Sequence, residues 1–266
     1  MPEQNKPTTP KIRIHPVLIS NLSTAEMDEI WEFAFRYTDT TREIYERSLR
    51  LKQKVYLMRD RERGNLIGLG AVQVTKVTFE GRPYLIIFGG NVLIDEAYRG
   101  LNVIQRLGLQ NYLSARLRHP FTPIYFLFDT FSYKSFLMLS RNLREFYPRR
   151  DRPTPEWILR FVDFLAEQRY GEAWDPLRGI VIGTGDRKLR DWVVPVATKE
   201  LKRPTIGFFV ERNPGFRKGD LLVCIAPLNL GNIRSMVGNM FRRILQKRRA
   251  KAQAEGTKRE EVKKGG

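Results

Sequence analysis

Residues 92–105 of this 266-residue chain read VLIDEAYRGLNVIQ, and this stretch decides the fold. Its apolar start predicts a strand, the acidic pair that follows predicts a turn, and Arg99-Gly100 leads directly into a helical pattern. The first amides of a helix have no internal partner and carry the positive end of the helix dipole. The stretch therefore predicts an anion site, of the kind that binds phosphate or pyrophosphate, at the start of a helix.

The flanking residues alternate between strand and helix patterns. Apolar alternation predicts a first strand near residues 11–20, and a capping box from Ser23 to Glu26 predicts the start of a helix. The elements predicted after it are a helix at 44–51, hairpin strands at 55–58 and 66–74, a central strand at 84–94, a helix at 101–118, a strand at 124–128 and a helix at 133–146. A strand, helix, strand order makes the strands at 84–94 and 124–128 parallel.

Two local patterns in the strands suggest departures from regular pairing. The alternation slips at Lys76 and Val77, which predicts a bulge there. Gly89-Gly90 lies inside the central strand, and glycines in a strand interior indicate that another group approaches the backbone closely.

The rest of the chain divides by composition. Residues 1–10 contain three prolines and predict a disordered leader, and residues 11–148 form the core. Residues 149–204 predict a helical insertion, and residues 205–230 predict a closing β-hairpin turning at Asn213-Pro214-Gly215. Residues 231–266 predict an amphipathic helix with a basic tail.

The net charge of +18 restricts the partners that the surface attracts. Residues 242–266 carry ten Lys or Arg against three Glu, and the remainder of the chain is also basic. Such a field attracts nucleic acid, an anionic membrane surface, a phosphorylated cofactor or an acidic carrier protein. Charge alone does not choose among these four classes.

Rare residues exclude several kinds of chemistry. Cys224 is the only cysteine, so no internal disulfide forms, and its apolar surroundings indicate a buried thiol. His15 and His119 are the only histidines, so neither a zinc site nor a Ser-His-Asp triad is expected. The sequence shows no signal peptide pattern and no apolar run of membrane-spanning length, which predicts a cytoplasmic protein. The last helix leaves a peripheral membrane role open.

Residues 94–100, IDEAYRG, resemble the Val-Asp-Pro-Glu-Tyr-Arg-Gly start of the pyrophosphate loop in the GNAT family of CoA-dependent N-acyltransferases. The predicted order of elements in residues 11–148 is similar to that of the same family. The resemblance implies a mixed α/β, GNAT-like fold with an insertion and a basic C-terminal helix. It departs from the family at Asn102 and Ile104, where the family has small residues.

The resemblance also implies a set of site residues and a co-substrate. Acetyl-CoA or a longer acyl-CoA, with no metal, would be the acyl donor for an amine acceptor. The residues implied in CoA binding are Leu93, Ile94, Arg99, Gly100, Leu101, Asn102, Val103 and Ile104. Among nearby groups, Asp95 and Glu96 are candidate bases, although both also fit as solvated turn residues. Tyr133 is the candidate acid, because the family's usual tyrosine position is occupied by Leu139.

Three functions therefore remain open from the sequence. The first is an N-acyltransferase that uses acyl-CoA or an acidic acyl carrier protein. The second is a catalytically degenerate module on the same fold that binds an acyl thioester or a lipid, which the side chains of Asn102 and Ile104 favour. The third is a nucleic-acid-binding protein, which only the charge supports.

Overall fold

The computed structural model describes residues 11–264 apart from 184, 191 and 194–197, so the predicted leader at 1–10 lies outside the described residues. The helices in the described part are α1 (Thr24–Phe35), α2 (Arg42–Arg50), α3 (Val103–Arg118), α4 (Tyr133–Asn142), α5 (Glu156–Tyr170), α6 (Thr198–Leu201), α7 (Pro204–Arg212) and α8 (Leu230–Lys264). The strands are β1 (Ile12–Leu18), β2 (Thr38–Thr40), β3 (Lys54–Asp60), β4 (Leu66–Phe79), β5 (Arg82–Ile94), β6 (Ile124–Thr130), β7 (Trp174–Asp175), β8 (Ile180–Val181), β9 (Arg187–Leu189) and β10 (Leu221–Pro227).

One large sheet organises the protein, with the strand order β1-β3-β4-β5-β6-β10-β8-β7. All neighbouring strands in it are antiparallel except β5 and β6, which are parallel and joined through α3. Strands β2 and β9 form a separate antiparallel ribbon. The predicted mixed α/β fold, with its parallel central pair, is confirmed.

Helices cover both faces of the sheet, as the apolar character of β5 and β6 on both faces requires. Helices α1 and α2 pack on the β3 and β4 side chains of one face, and α5 packs on the same face of β5, β6 and β10. Helices α3, α4 and α7 pack on the opposite face. The capping box that opens α1 is present, since the Ser23 side chain accepts from the Glu26 amide and Glu26 accepts from the Ser23 amide.

The hairpin predicted for residues 205–230 is wrong in its first half. Residues there form α7, which begins at Pro204 and buries Ile206 and Phe209 against α4. Proline at the first position of a helix is favourable because its missing N–H has no partner to lose. The apolar run IGFFV fits both a strand and a helix, and packing on α4 selects the helix. The second half is a single strand, β10, antiparallel to β6.

Two further predictions need correction. Residues 149–204 are not only helical, because β7 and β8 extend the main sheet beyond β10 and β9 pairs with β2. The bulge predicted at Lys76 and Val77 is also wrong, since both residues pair in regular register with β5. The second half of β4 is more exposed to solvent than the first. This exposure, and not a break in pairing, explains why the alternation of polar and apolar residues changes there.

The fully buried side chain of Asn232 connects helix α8 to the core through hydrogen bonds. The Asn232 side-chain oxygen accepts from the amides of Arg144 and Glu145 at 2.8 and 2.9 Å. Its nitrogen donates to the carbonyls of Glu145 and Pro227, both at 2.7 Å. Among the helices that the structure describes, none is both long and apolar enough to cross a membrane.

Replacing Asn232 with Ala is expected to lower the free energy of unfolding by about 2 to 4 kcal/mol, because four hydrogen-bonding groups lose their partner in a buried site. Urea denaturation measures this change. Asn239→Ala on the same helix is the control, since that side chain makes one exposed hydrogen bond and its loss should cost well under about 1 kcal/mol. Equal effects of the two substitutions would contradict the role assigned to Asn232.

Candidate functional site

The two parallel strands at the centre of the sheet separate halfway along their length. Their pairing ends at Gly89 opposite Phe128. Beyond this point β5 continues to Ile94 and pairs only with β4, while β6 continues to Thr130 and pairs only with β10. The edge of residues 90–94 that faces β6 therefore borders a gap, with no strand of the described chain between them.

A β-bulge in β5 coincides with the start of this gap. Leu69 pairs with Leu93 but Ala71 pairs with Gly90, so two residues of β5 oppose the single residue Gly70. Asn91 lies in the bulge with φ of 50°. Asparagine is among the residues that tolerate this left-handed conformation, and a bulge bends and twists the strand that carries it.

The two glycines before the bulge have the close neighbours that the sequence predicted. A Cβ atom on Gly89 would lie 3.0 Å from the Phe126 ring. A Cβ atom on Gly90 would lie 3.0 Å from the Phe88 ring and 3.2 Å from Cε of Lys52. All three distances are shorter than most Cβ contacts, so a larger residue at either position would require the neighbouring side chains to shift.

The gap opens into a cavity of about 310 Å³ that reaches both faces of the sheet. On the face covered by α3 and α4 the lining includes Ile94, Arg99, Ile104, Phe128 and Met138. On the face covered by α1 and α2 it includes Tyr37, Tyr45, Lys52, Asn91 and Arg187. The cavity therefore has two ends that meet between the separated strands.

The loop before α3 supplies one end of this cavity. Gly100 has φ of 77° and Asn102, the residue before the first turn of α3, has φ of 57°. Asn102 thus adopts the left-handed conformation for which glycine is usually required. Its side chain is buried and accepts a hydrogen bond from Nη1 of Arg243 on α8 at 3.1 Å. Of the two departures from the family's loop, only Ile104 lines the cavity.

The other residues of the predicted binding loop divide between the core and the cavity lining. Leu93 packs against α1 and α2, while Val103 packs with Leu101 against β3 and β4. Arg99 lines the cavity, and its Nε donates to the Ile94 carbonyl at 3.3 Å. Leu93 also lines the cavity, whereas Leu101 and Val103 are not among its described lining residues.

The three predicted catalytic residues are not among the described residues that line the cavity. Asp95 accepts from the Ala97 amide and Glu96 forms an exposed ion pair with Arg99, as expected of turn residues. The Tyr133 hydroxyl donates to Glu200 at 2.6 Å. Burial and this carboxylate raise the pKa of Tyr133 to about 12. Asp95 nevertheless lies close to the cavity, because it adds to the effect of burial in raising the pKa of Tyr37, which lines the cavity.

A different polar cluster lies at the second end of the cavity. Tyr45, Ser48 and Lys52 follow one face of α2 and its C-terminal extension at a spacing of three and four residues. Nζ of Lys52 donates to the backbone carbonyl and, at 3.2 Å, to the hydroxyl of Ser48. Arg187 from β9 donates to the same hydroxyl at 2.9 Å. Asp129 lines the cavity from β6 and accepts from the Tyr170 hydroxyl at 2.8 Å.

Burial changes the acid-base properties of this cluster. It lowers the pKa of Lys52 to about 7, and the cations Arg187 and Arg169 act in the same direction while Asp129 opposes them. Burial likewise raises the pKa of the Tyr45 hydroxyl, which the side chain of Asn91 partly offsets. Asn91 lies close to the Tyr45 hydroxyl. This hydroxyl nevertheless makes no hydrogen bond of acceptable geometry to any described residue.

Sequence reasoning missed this cluster, although part of the signal was present. The helical spacing of Tyr45, Ser48 and Lys52 is visible in the sequence, and Gly89-Gly90-Asn91 within a strand is the pattern of a bulge with a positive φ. Arg187 comes from a segment without a clear periodic pattern, so nothing in the sequence places it against α2.

Comparison with known proteins supplies structural similarities only. No protein-family model and no curated protein matches the chain. A conserved protein from Enterococcus faecalis V583 described as a probable N-acyltransferase is similar in structure, with 18% identity and a TM-score of 0.36 over 50% of this chain and 32% of its own. A Trypanosoma brucei acetyltransferase shows 15% identity and a TM-score of 0.35 over 55% of this chain and 100% of its own. A chain of the NatC complex bound to Gag peptide and CoA shows 16% identity and a TM-score of 0.36 over 49% of this chain and 80% of its own.

The fold is GNAT-like on its own geometry. An antiparallel run of strands leads into a β5-α3-β6 parallel crossover, and β10 closes the sheet beside β6. This order agrees with the fold expected from the resemblance of residues 94–100. The resemblance in fold predicted from the sequence is confirmed.

The conformation of Asn102 is tested by comparing Asn102→Gly with Asn102→Val. Both variants lose the hydrogen bond to Arg243, so their difference isolates the backbone at φ of 57°. We expect the Val variant to be less stable by about 2 kcal/mol, because a β-branched residue is strained in the left-handed region. Urea denaturation of the two variants measures this difference, and equal stabilities would contradict the left-handed assignment.

Proposed function

We propose that this protein is an N-acyltransferase that transfers an acyl group from acyl-CoA to an amine. The carrying observation is the gap between two parallel strands beside the N-terminus of α3. In this proposal the amides of residues 101–104 bind the CoA pyrophosphate. The pantetheine arm lies along residues 91–94, and the thioester reaches the point where the cavity crosses the sheet.

The backbone around the gap suits an extended, amide-containing ligand. Residues 90–94 pair with β4 on one side only, so their other edge is available to a ligand that adds to the sheet like a strand. Main-chain hydrogen bonds supply the affinity in this mode of binding. The pantetheine arm contains amides at intervals and is long enough to follow such an edge.

The charge of the cavity favours a polyanionic ligand. Its described lining contains the cations Arg99, Lys134 and Arg187, and Asp129 is the one acid among these described lining residues. The helix N-terminus adds partial positive charge at the same end as Arg99. The phosphates of CoA suit this end of the cavity. A net charge of +18 also steers polyanions toward the surface.

The chemistry of acyl transfer requires few groups once the thioester is held. The acceptor amine attacks the carbonyl carbon, and a backbone amide of β5 at the gap stabilises the developing negative charge on oxygen. The amine must lose a proton and the thiolate must leave. An acidic acyl carrier protein presents the same pantetheine arm and is the alternative donor.

A degenerate binding module is the second candidate. It is favoured by one observation, that Asp95, Glu96 and Tyr133 do not line the cavity. Such a protein would bind an acyl thioester in the same gap without releasing thiol. Nucleic-acid binding and attachment of α8 to an anionic membrane both remain predictions from charge.

Calorimetry with acetyl-CoA and longer acyl-CoAs, and thiol release with a panel of amines, test the proposal. We expect Gly100→Ala to weaken acyl-CoA binding by about tenfold or more, because a Cβ at φ of 77° distorts the amides that face the pyrophosphate. Gly81→Ala is the matched control, since Gly81 has φ of 74° in the β4-β5 turn at the opposite end of β5. The two variants carry similar backbone strain, but only one of them should lose affinity.

Three results separate the functions. Thiol release that depends on an amine supports the transferase, and binding without release supports the degenerate module. Failure of every acyl-CoA and acyl carrier protein to bind, together with tight DNA binding that weakens steeply with salt, would overturn the proposal.

A further inference from the structure

Building on the proposed function, we infer that Lys52 is the catalytic base that takes the proton from the acceptor amine, and that Tyr45 and Asn91 bind that acceptor. None of these three residues belongs to the predicted CoA loop. They line the end of the cavity that is covered by α1 and α2, across the sheet from α3 and α4. The acceptor would therefore enter from the face opposite the CoA site.

The hydrogen bonds of Lys52 suit a neutral amine. Its side chain is buried, and Nζ donates to the carbonyl and the hydroxyl of Ser48. A neutral amine has two N–H groups and one lone pair, so these two bonds leave the lone pair for a proton. Lys52 forms no ion pair with any carboxylate in the described part of the chain.

The charged groups around Lys52 do not offset a positive charge on its side chain. Arg187 on β9 and Arg169 on α5 are cations, and they lower its pKa in addition to burial. Asp129 on β6 raises it, but this carboxylate already accepts from Tyr170 of α5. From the segment that follows α2, Lys52 contacts the uncharged side chain of Ser48. The neutral form is therefore present from about pH 7 upward, where a base is useful to an enzyme.

A second observation indicates that a polar ligand belongs here. The Tyr45 hydroxyl is buried and has no hydrogen-bond partner among the described residues, yet it lines the cavity. A buried hydroxyl without a partner is unfavourable, because it has given up its hydrogen bonds to water. A bound amine would satisfy it as a hydrogen-bond donor or acceptor. Asn91 adds an amide at the bulge, beside the same space.

The proposed step balances without a further reactant. The acceptor nitrogen forms a bond to the thioester carbonyl carbon, and the bond from that carbon to the CoA sulfur breaks. One proton of the acceptor nitrogen passes to Nζ of Lys52, which becomes an ammonium. The CoA thiolate then takes a proton from this ammonium or from water, so the products are an amide and free CoA thiol, and Lys52 returns to its neutral form.

A purely structural role for Lys52 makes a different prediction. The residue follows α2, and its Nζ caps the carbonyl of Ser48 near the end of that helix. Capping needs only a donor, which Arg also supplies, whereas a base must lose a proton near neutral pH and Arg does not. Lys52→Arg therefore separates the two roles.

The experiment is a pH profile of kcat/KM for acyl transfer by the full chain, from pH 5.5 to 9. Below its lowered pKa Lys52 is protonated and inactive, so the wild-type rate should rise with pH through about 7 and then level off. Lys52→Arg and Lys52→Ala should lose this rise and about a hundredfold or more in rate, while acyl-CoA affinity stays within about twofold. Trimethylamine, which forms no stable amide, should partly restore Lys52→Ala. Lys54→Ala, on β3 outside the cavity lining, is the control.

Each outcome bears on a different claim. An unchanged pH profile in Lys52→Arg, with transfer otherwise intact, would overturn the role of Lys52 and leave the proposed function standing. Mass spectrometry that finds a kinetically competent acyl group on Nζ of Lys52 would replace the base with a nucleophile. Absence of transfer by the wild-type protein to every amine tested would overturn the proposed function and this role together.

Discussion

The separation of β5 from β6 after Gly89 is the constraint on which the rest of the site depends. Two parallel strands that stayed paired to their ends would fill the centre of the sheet and leave no passage between its faces. Strand β5 is irregular at the bulge that contains Asn91. Next to this bulge, Phe126 lies close to Gly89 and Lys52 lies close to Gly90. The same few residues thus open the cavity and bring Lys52 to its wall.

The parts outside the core are arranged around this opening. Arg187 on β9 extends from the segment between α5 and α6 to the C-terminal end of α2. On the other face, Arg243 of α8 reaches the side chains of Asn102 and Asn142, and burial lowers its pKa. The segment between α5 and α6 therefore contributes Arg187 to the cavity lining, and α8 contacts the loop before α3 through Arg243.

The sequence predicted the fold better than it predicted the site. Strong periodic patterns, a capping box and an apolar central pair determined most elements, because they depend on local spacing. The first half of the hairpin predicted at 205–230 failed because IGFFV satisfies either period, and its contact with α4 is not local. The loop at 99–104 was visible as a contiguous motif, but the structure left Asp95, Glu96 and Tyr133 outside the cavity lining. The cluster of Tyr45, Lys52, Asn91 and Arg187 is assembled from three separate parts of the chain, α2 with its C-terminal extension, β5 and β9, and no contiguous pattern brings them together.

The most direct measurement of the central claim is a crystal structure of the full chain soaked with CoA. The account predicts pyrophosphate oxygens within about 3.2 Å of the backbone amides at residues 101–104, with the pantetheine arm lying in the gap alongside residues 91–94. Pyrophosphate bound elsewhere, with β5 and β6 closed on each other or the gap left empty, would contradict the account.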